Sequence, residues 1–268
     1  MSQIKLIRKL TDDEKILFEQ QPTKEEVEAR DFSIKISNLY SIIASKKLTI
    51  IELIKLNPFP LLLKVKFYLR KHLCGKKIFT HIKFGFISNY RFRHIEKVFE
   101  NIQPVKLIYE FGSGGSTIVF ADKLKQQFEK TGIKGILYTF DQSKEWLQNL
   151  RSNFPKKTIE FVKFNHTDLK YEYKYNFRLL KYDIKKYHEN IDLVYIDGPT
   201  DQLFEDLPPP PRYQANGNIV EMMQLKNFKY AFTDMRFYCF KVFKENNFDN
   251  YSVNLDKINK SIILKIKQ

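Results

Sequence analysis

The sequence predicts an α/β protein: a seven-stranded sheet with helices on both faces, closed by an antiparallel hairpin and preceded by a helical N-terminal extension. Three observations predict it. From Leu107 onward short apolar runs alternate with helical stretches, the pattern of a doubly wound sheet. The first run enters a glycine turn, Gly112-Ser113-Gly114-Gly115, that opens a helix. The last two runs, 251–256 and 261–267, are joined by too few residues for a crossover and must pair antiparallel.

The first hundred of the 268 residues read as helix. Thr11-Asp12-Asp13-Glu14 and Thr23-Lys24-Glu25-Glu26 each have the form of a capping box. Apolar residues then recur at Ile34, Ile36, Leu39, Tyr40, Ile42 and Ile43, a helical rather than alternating spacing. Pro58 and Pro60 break the chain, and Gly75 and Gly85 mark turns. This gives a basic helical region over 1–100 and a sheet domain over 101–268. Within the domain, strands are expected at 107–111, 136–141, 158–164, 191–197, 229–234, 251–256 and 261–267. Helices are expected at 116–130, 143–154, 218–227 and 236–246.

Open α/β sheets bind ligands beyond the C-terminal strand ends, at the switch point. The glycine turn lies there, and so does Asp141, which ends the second strand and can accept hydrogen bonds from ribose hydroxyls. A dinucleotide site needs a glycine where this chain has Thr117, and Glu110 just before the turn would repel a pyrophosphate. Glu110-Phe111-Gly112-Ser113-Gly114-Gly115-Ser116 instead resembles motif I of class I S-adenosylmethionine-dependent methyltransferases. The resemblance covers about residues 100–268 and implies the seven-stranded, Rossmann-like methyltransferase fold. It also implies S-adenosylmethionine as cofactor. Its amino-acid part would lie on Glu110, Gly112, Ser113, Gly114, Gly115 and Ser116, its ribose on Asp141, and its adenine near Asp168.

Other polar residues follow the remaining strands. Trp146, the single tryptophan, stands on the helix after Asp141, where it packs on the sheet or lies over the adenine. Asp197, in Asp197-Gly198-Pro199, ends a buried strand and has a partner in the cofactor's cationic centres. The triplet resembles the fourth motif of sugar and polysaccharide O-methyltransferases. Asp234 ends the fifth strand; it and Asp197 are the expected catalytic carboxylates, one removing a hydroxyl proton from the acceptor. Two carboxylates could hold Mg²⁺, but Met235 and Pro199 stand where the metal-dependent sugar enzymes have further motif residues, so no metal is expected. Arg212, after the Pro208–Pro211 run, and Arg236 are the expected acceptor-binding residues.

The resemblance therefore implies O-methylation of a carbohydrate hydroxyl, in a surface polysaccharide or its sugar-nucleotide precursor. The alternatives are an inactive methyltransferase-like module docking at a membrane and a nucleic-acid methyltransferase. The net charge of +15 is concentrated between Lys46 and Lys97, where 13 Lys and Arg face only Glu52 and Glu96. Apolar residues interleave with them over 59–69, which reads as an amphipathic helix packed on the sheet domain with its lysines solvated, an anionic membrane surface being the alternative contact. Nucleic acid, favoured by charge alone, is not the expected partner. The aromatic N-terminal region would wall the acceptor site or form a homodimer contact. Cys74 and Cys239 lie far apart and match no metal or redox spacing. With no signal-like apolar run, the chain reads as a cytoplasmic protein, peripheral to a membrane if the basic segment docks.

Overall fold

A computed structural model describes residues 12, 13, 16, 21–44, 89–199, 214–234, 236–246, 248–256 and 261–267. Its main sheet contains β1 (Leu107–Phe111), β2 (Ile136–Asp141), β3 (Val162–His166), β6 (Ile191–Ile196), β8 (Phe228–Thr233), β9 (Tyr251–Asp256) and β10 (Ser261–Ile266). They stand in the order β3-β2-β1-β6-β8-β10-β9. Counting main-sheet strands along the chain, the order is 3-2-1-4-5-7-6, the Rossmann-like methyltransferase arrangement. Only β10 is reversed relative to the other six strands: it is antiparallel to β8 and to β9, with Ser261 opposite Asp256 and Ile266 opposite Tyr251.

The strands are buried on both faces, which explains their near-continuous apolar runs. Ile108, Leu193, Tyr195 and Phe232 point to one side, and Tyr109, Phe111, Val194 and Ile196 to the other. The first side is covered by α2 (Asn89–Ile102), α3 (Gly115–Thr131) and α4 (Lys144–Ser152) through Ile95, Phe99, Ile118, Leu124 and Leu150. Local signals bound these helices. Gly132, at φ 72°, ends α3 by returning its N–H to the Phe128 carbonyl at 2.8 Å. Ser143 caps α4 by accepting from the Trp146 N–H at 2.9 Å.

On the second side the expected pattern is broken. Residues 165–190, read as a connection, hold β4 (Leu169–Lys174) and β5 (Phe177–Tyr182), an antiparallel hairpin. With β7 (Gln214–Asn216), which runs parallel to β5, they make a separate three-stranded sheet. Tyr175 and Asn176 turn the hairpin at φ 56° and 61°, the conformation of a two-residue I′ loop. The hairpin stands between β3 and β6, where a crossover helix would ordinarily lie. The remainder of that side is covered by α5 (Gly217–Leu225) and α6 (Tyr238–Glu245). The third strand also departs from expectation: residues 159–161 form a single 3₁₀ turn, and pairing with β2 begins only at Val162.

The N-terminal helix α1 (Lys24–Ala44) docks on this second side. Its capping box forms as expected: the Glu26 N–H donates to Thr23 Oγ1, and the Thr23 N–H to Glu26 Oε2, each at 3.1 Å. Glu26 is also fully buried, because its Oε1 accepts from the Arg178 N–H of β5 at 2.8 Å. Phe32 stacks on Phe240 of α6 at 5.3 Å. Ile36 is buried beside Phe237, whereas Ile34 faces solvent. Thr11 and Glu14, the two ends of the first box, and the segment 59–73 lie outside the described residues. Among the described residues no helix is long and apolar enough to cross a membrane.

Candidate functional site

The strand order reverses between β1 and β6, so the loops after those strands flank the crevice of the sheet. Gly112 sits at φ 94°, and a methyl group built on it would lie 2.8 Å from the Gly198 nitrogen. This glycine is required by close approach of the β1 and β6 loops as much as by its own backbone angle. The Asp197 N–H donates to the Phe111 carbonyl at 2.8 Å, closing the same contact.

Glu110 points inward. Its carboxyl is fully buried and accepts from Ser116 Oγ at 2.5 Å and Thr117 Oγ1 at 2.7 Å. Thr117 Oγ1 in turn accepts from the Gly114 N–H at 2.8 Å. Glu110 thus fastens the start of α3 under the turn. Burial pushes its carboxyl up to about 8, against the lowering effect of the two hydroxyls.

Asp141 is the hub of the turn. Its Oδ2 accepts from the Ser113 N–H at 3.1 Å and Ser113 Oγ at 2.9 Å, while Oδ1 accepts from the Ser143 N–H at 2.9 Å. Burial raises this carboxyl, and those bonds oppose the shift. A carboxylate offers about four acceptor positions and three are used here, so about one is left for a ribose hydroxyl. Trp146 does something the sequence did not indicate: its Nε1 donates to the Ser113 carbonyl at 3.1 Å, pinning the turn from the other side. Gly115 and Ser116 open α3. Asp168 is an exposed residue between β3 and β4, and its carbonyl accepts from the Asp183 N–H at 2.8 Å.

Asp197 and Asp234 follow register neighbours, Ile196 of β6 opposite Thr233 of β8. Both therefore lie on one side of the reversal point rather than across it. Asp197 is partly exposed; burial raises its carboxyl, and the guanidinium groups of Arg236 and Arg91 oppose that rise. Asp234 forms an ion pair with Arg91, whose Nη1 also donates to Tyr195 Oη at 3.2 Å. Arg91 comes from α2, within the basic run, and nothing in its spacing marked it. Arg236, expected to face the acceptor, donates from Nη1 to the Pro199 carbonyl at 3.0 Å and from Nη2 to the Asp197 carbonyl. It braces the β6 loop. Arg212 lies outside the described residues. No group of three or more His, Cys, Asp and Glu side chains gathers as a metal site among the described residues.

No protein-family model and no curated protein matches the chain. Solved structures do resemble it at low identity. The catalytic domain of hMettl16 in complex with a MAT2A 3′UTR hairpin is 12% identical, with a TM-score of 0.42, over 78% of this chain and 80% of that one. A candidate methyltransferase from Streptococcus mutans, in complex with SAH, is 13% identical with a TM-score of 0.38, over 65% and 97%. A candidate class I S-adenosylmethionine-dependent methyltransferase from Listeria monocytogenes is 12% identical with a TM-score of 0.41, over 91% and 88%. Overlaps this loose leave the topology to rest on the strand order itself.

Proposed function

We propose that the chain is an S-adenosylmethionine-dependent methyltransferase. One observation carries the reading: a carboxylate ending β2 grips a glycine turn at the crevice of a sheet ordered 3-2-1-4-5-7-6. The groups present fit that cofactor. Asp141 and Asp197 suit hydroxyls and a cation, whereas a pyrophosphate would meet repulsion from both. When bound, S-adenosylmethionine supplies an electrophilic methyl group. The chain's own residues orient the donor and take up the acceptor's proton. Asp141 holds the ribose, the 112–116 turn takes the amino-acid end, and Asp168 borders the adenine.

Asp197 is the proposed base. Accepting a proton at Asp234 would weaken its ion pair with Arg91, whereas burial already favours protonation of Asp197. The proposed acceptor is a carbohydrate hydroxyl, supported by the Asp197-Gly198-Pro199 triplet and by the lack of an Asn/Asp-Pro-Pro-Tyr tetrad. The net charge of +15 favours a second reading, a nucleic-acid acceptor.

Calorimetry with SAH tests the cofactor; absence of binding by the intact protein would end the reading. Incubation with S-adenosylmethionine and separate panels of sugar nucleotides, glycans and RNA, followed by mass, separates the acceptors. On the accepted substrate, Asp197→Asn is expected to lower kcat about 100-fold or more. Asp234→Asn should cost about tenfold, through loss of its tie to Arg91. The reverse ranking would exchange the two roles.

A further inference from the structure

The hairpin that stands in place of a crossover helix ends on Tyr182, a fully buried side chain that reaches three strand ends at once. Its hydroxyl donates to Gln142 Oε1, directly after β2, at 3.1 Å. A methyl built on Gly198, after β6, would lie 2.5 Å from the same hydroxyl, so oxygen and glycine are in contact. Its ring stacks on Phe111, at the end of β1, with centroids 5.9 Å apart and planes at 21°. The main chain of Tyr182 is fixed independently. Its N–H donates to Asn218 Oδ1 and its carbonyl accepts from Asn218 Nδ2, each at 2.8 Å. Asn216, the cap of α5, donates to the Gly198 carbonyl at 2.8 Å, holding the other side of the contact.

We propose that Tyr182 is a positioning residue for the cofactor: by bridging Gln142 and Gly198 it sets the gap between Asp141 and Asp197. The proposal rests on the cofactor reading above and adds to it a residue from an element outside the doubly wound core. Each neighbouring carboxylate lies one residue from a Tyr182 contact: Asp141 precedes Gln142, and Asp197 precedes Gly198. Burial, reinforced by Asp141, holds the phenol far above its ordinary range, so the group stays a hydrogen-bond donor. A ligand spanning the two carboxylates therefore meets a crevice whose width one hydroxyl helps to fix.

Tyr182→Phe removes that hydroxyl and leaves the ring stack on Phe111. SAH affinity is expected to fall about tenfold, with KM for S-adenosylmethionine raised and kcat at saturation within about twofold of wild type. Gln142→Ala should match it, and the double variant should bind no more weakly than either single one, because both remove the same bond. Unchanged SAH affinity in Tyr182→Phe, or additive losses in the double variant, overturns the proposal. So does a loss confined to thermal stability, the mark of a purely structural residue. Hydrogen exchange on the ligand-free protein separates this outcome from failure of the cofactor reading. The Gln142 and Gly198 amides should exchange faster in Tyr182→Phe, and unchanged exchange overturns the bridge whether or not SAH binds.

Discussion

The two sides of the sheet are covered by different means. On one side α2, α3 and α4 lay apolar seams over Ile108, Leu193 and Phe232, with adhesion that is broad and non-directional. On the other, a small second sheet, α1, α5 and α6 are held partly by directed polar ties. These include Glu26 to the Arg178 amide, Asn218 to Tyr182, Asn216 to Gly198, and Lys181 between Glu172 and Glu221. Apolar packing tolerates small changes, whereas a buried polar pair fails when one partner is lost. The polar side is also where the ties converge on the β6 loop. Both sides reach the site, the helical one through Arg91 and Trp146 and the hairpin one through Asn216 and Tyr182, but only the second is also joined to the sheet through those polar ties.

The largest expected effect tests that contrast directly. Glu26→Ala strips the acceptor from the Thr23 and Arg178 N–H groups and should cost about 3 kcal/mol in urea unfolding. Ile118→Val, buried on the helical side, should cost about 1 kcal/mol. Equal losses would abolish the distinction. Next, Asp141→Ala should weaken SAH binding about 30-fold, since it removes the proposed ribose acceptor and frees Ser113. Retained affinity would move the ribose elsewhere.

Glu110 gives an effect visible in pH. Its carboxyl lies at about 8 in the folded chain against an ordinary 4.5, so between those values the folded state holds a proton that the unfolded state has released. That contribution is complete below about pH 4.5 and fades as pH climbs to 8. The melting temperature should therefore fall steadily across this window. Glu110→Gln, which keeps an acceptor for Thr117 and a donor toward Ser116, should flatten the slope. An identical slope in the variant would place the titration elsewhere. The smallest effect sharpens the hairpin side: Asn176→Gly relieves a left-handed backbone at φ 61° and should stabilise by about 0.5 kcal/mol. A loss instead would mean the Asn176 side chain matters more than its backbone.

Much of the sheet was legible because each strand carries a long apolar run with a turn residue at its end. Gly112, Asp141, Asp197 and Asp234 stand at such ends, so their placement at one edge followed from pattern alone. The hairpin was missed although Leu169, Tyr171 and Tyr173 alternate with Lys170, Glu172 and Lys174. Tyr175-Asn176 is a weak turn signal beside Asn-Gly, and the doubly wound pattern called for a crossover there. The start of β3 was misplaced because Thr158-Ile159-Glu160 also alternates, yet pairing with β2 sets the true beginning at Val162.

Alone, the chain of residues determined the seven main-sheet strands and the helices between most of them, where the glycine turn falls, and which acids end the strands. Periodicity and turn chemistry are local, and local order is written in consecutive residues. Only the tertiary structure decided what those acids touch. Glu110 turned inward to Ser116 and Thr117, Asp234 met Arg91 from 143 positions away, and Tyr182 came to rest between Gln142 and Gly198. Such contacts join groups distant in sequence, and their energies arise from burial and geometry that exist only once the layers have packed.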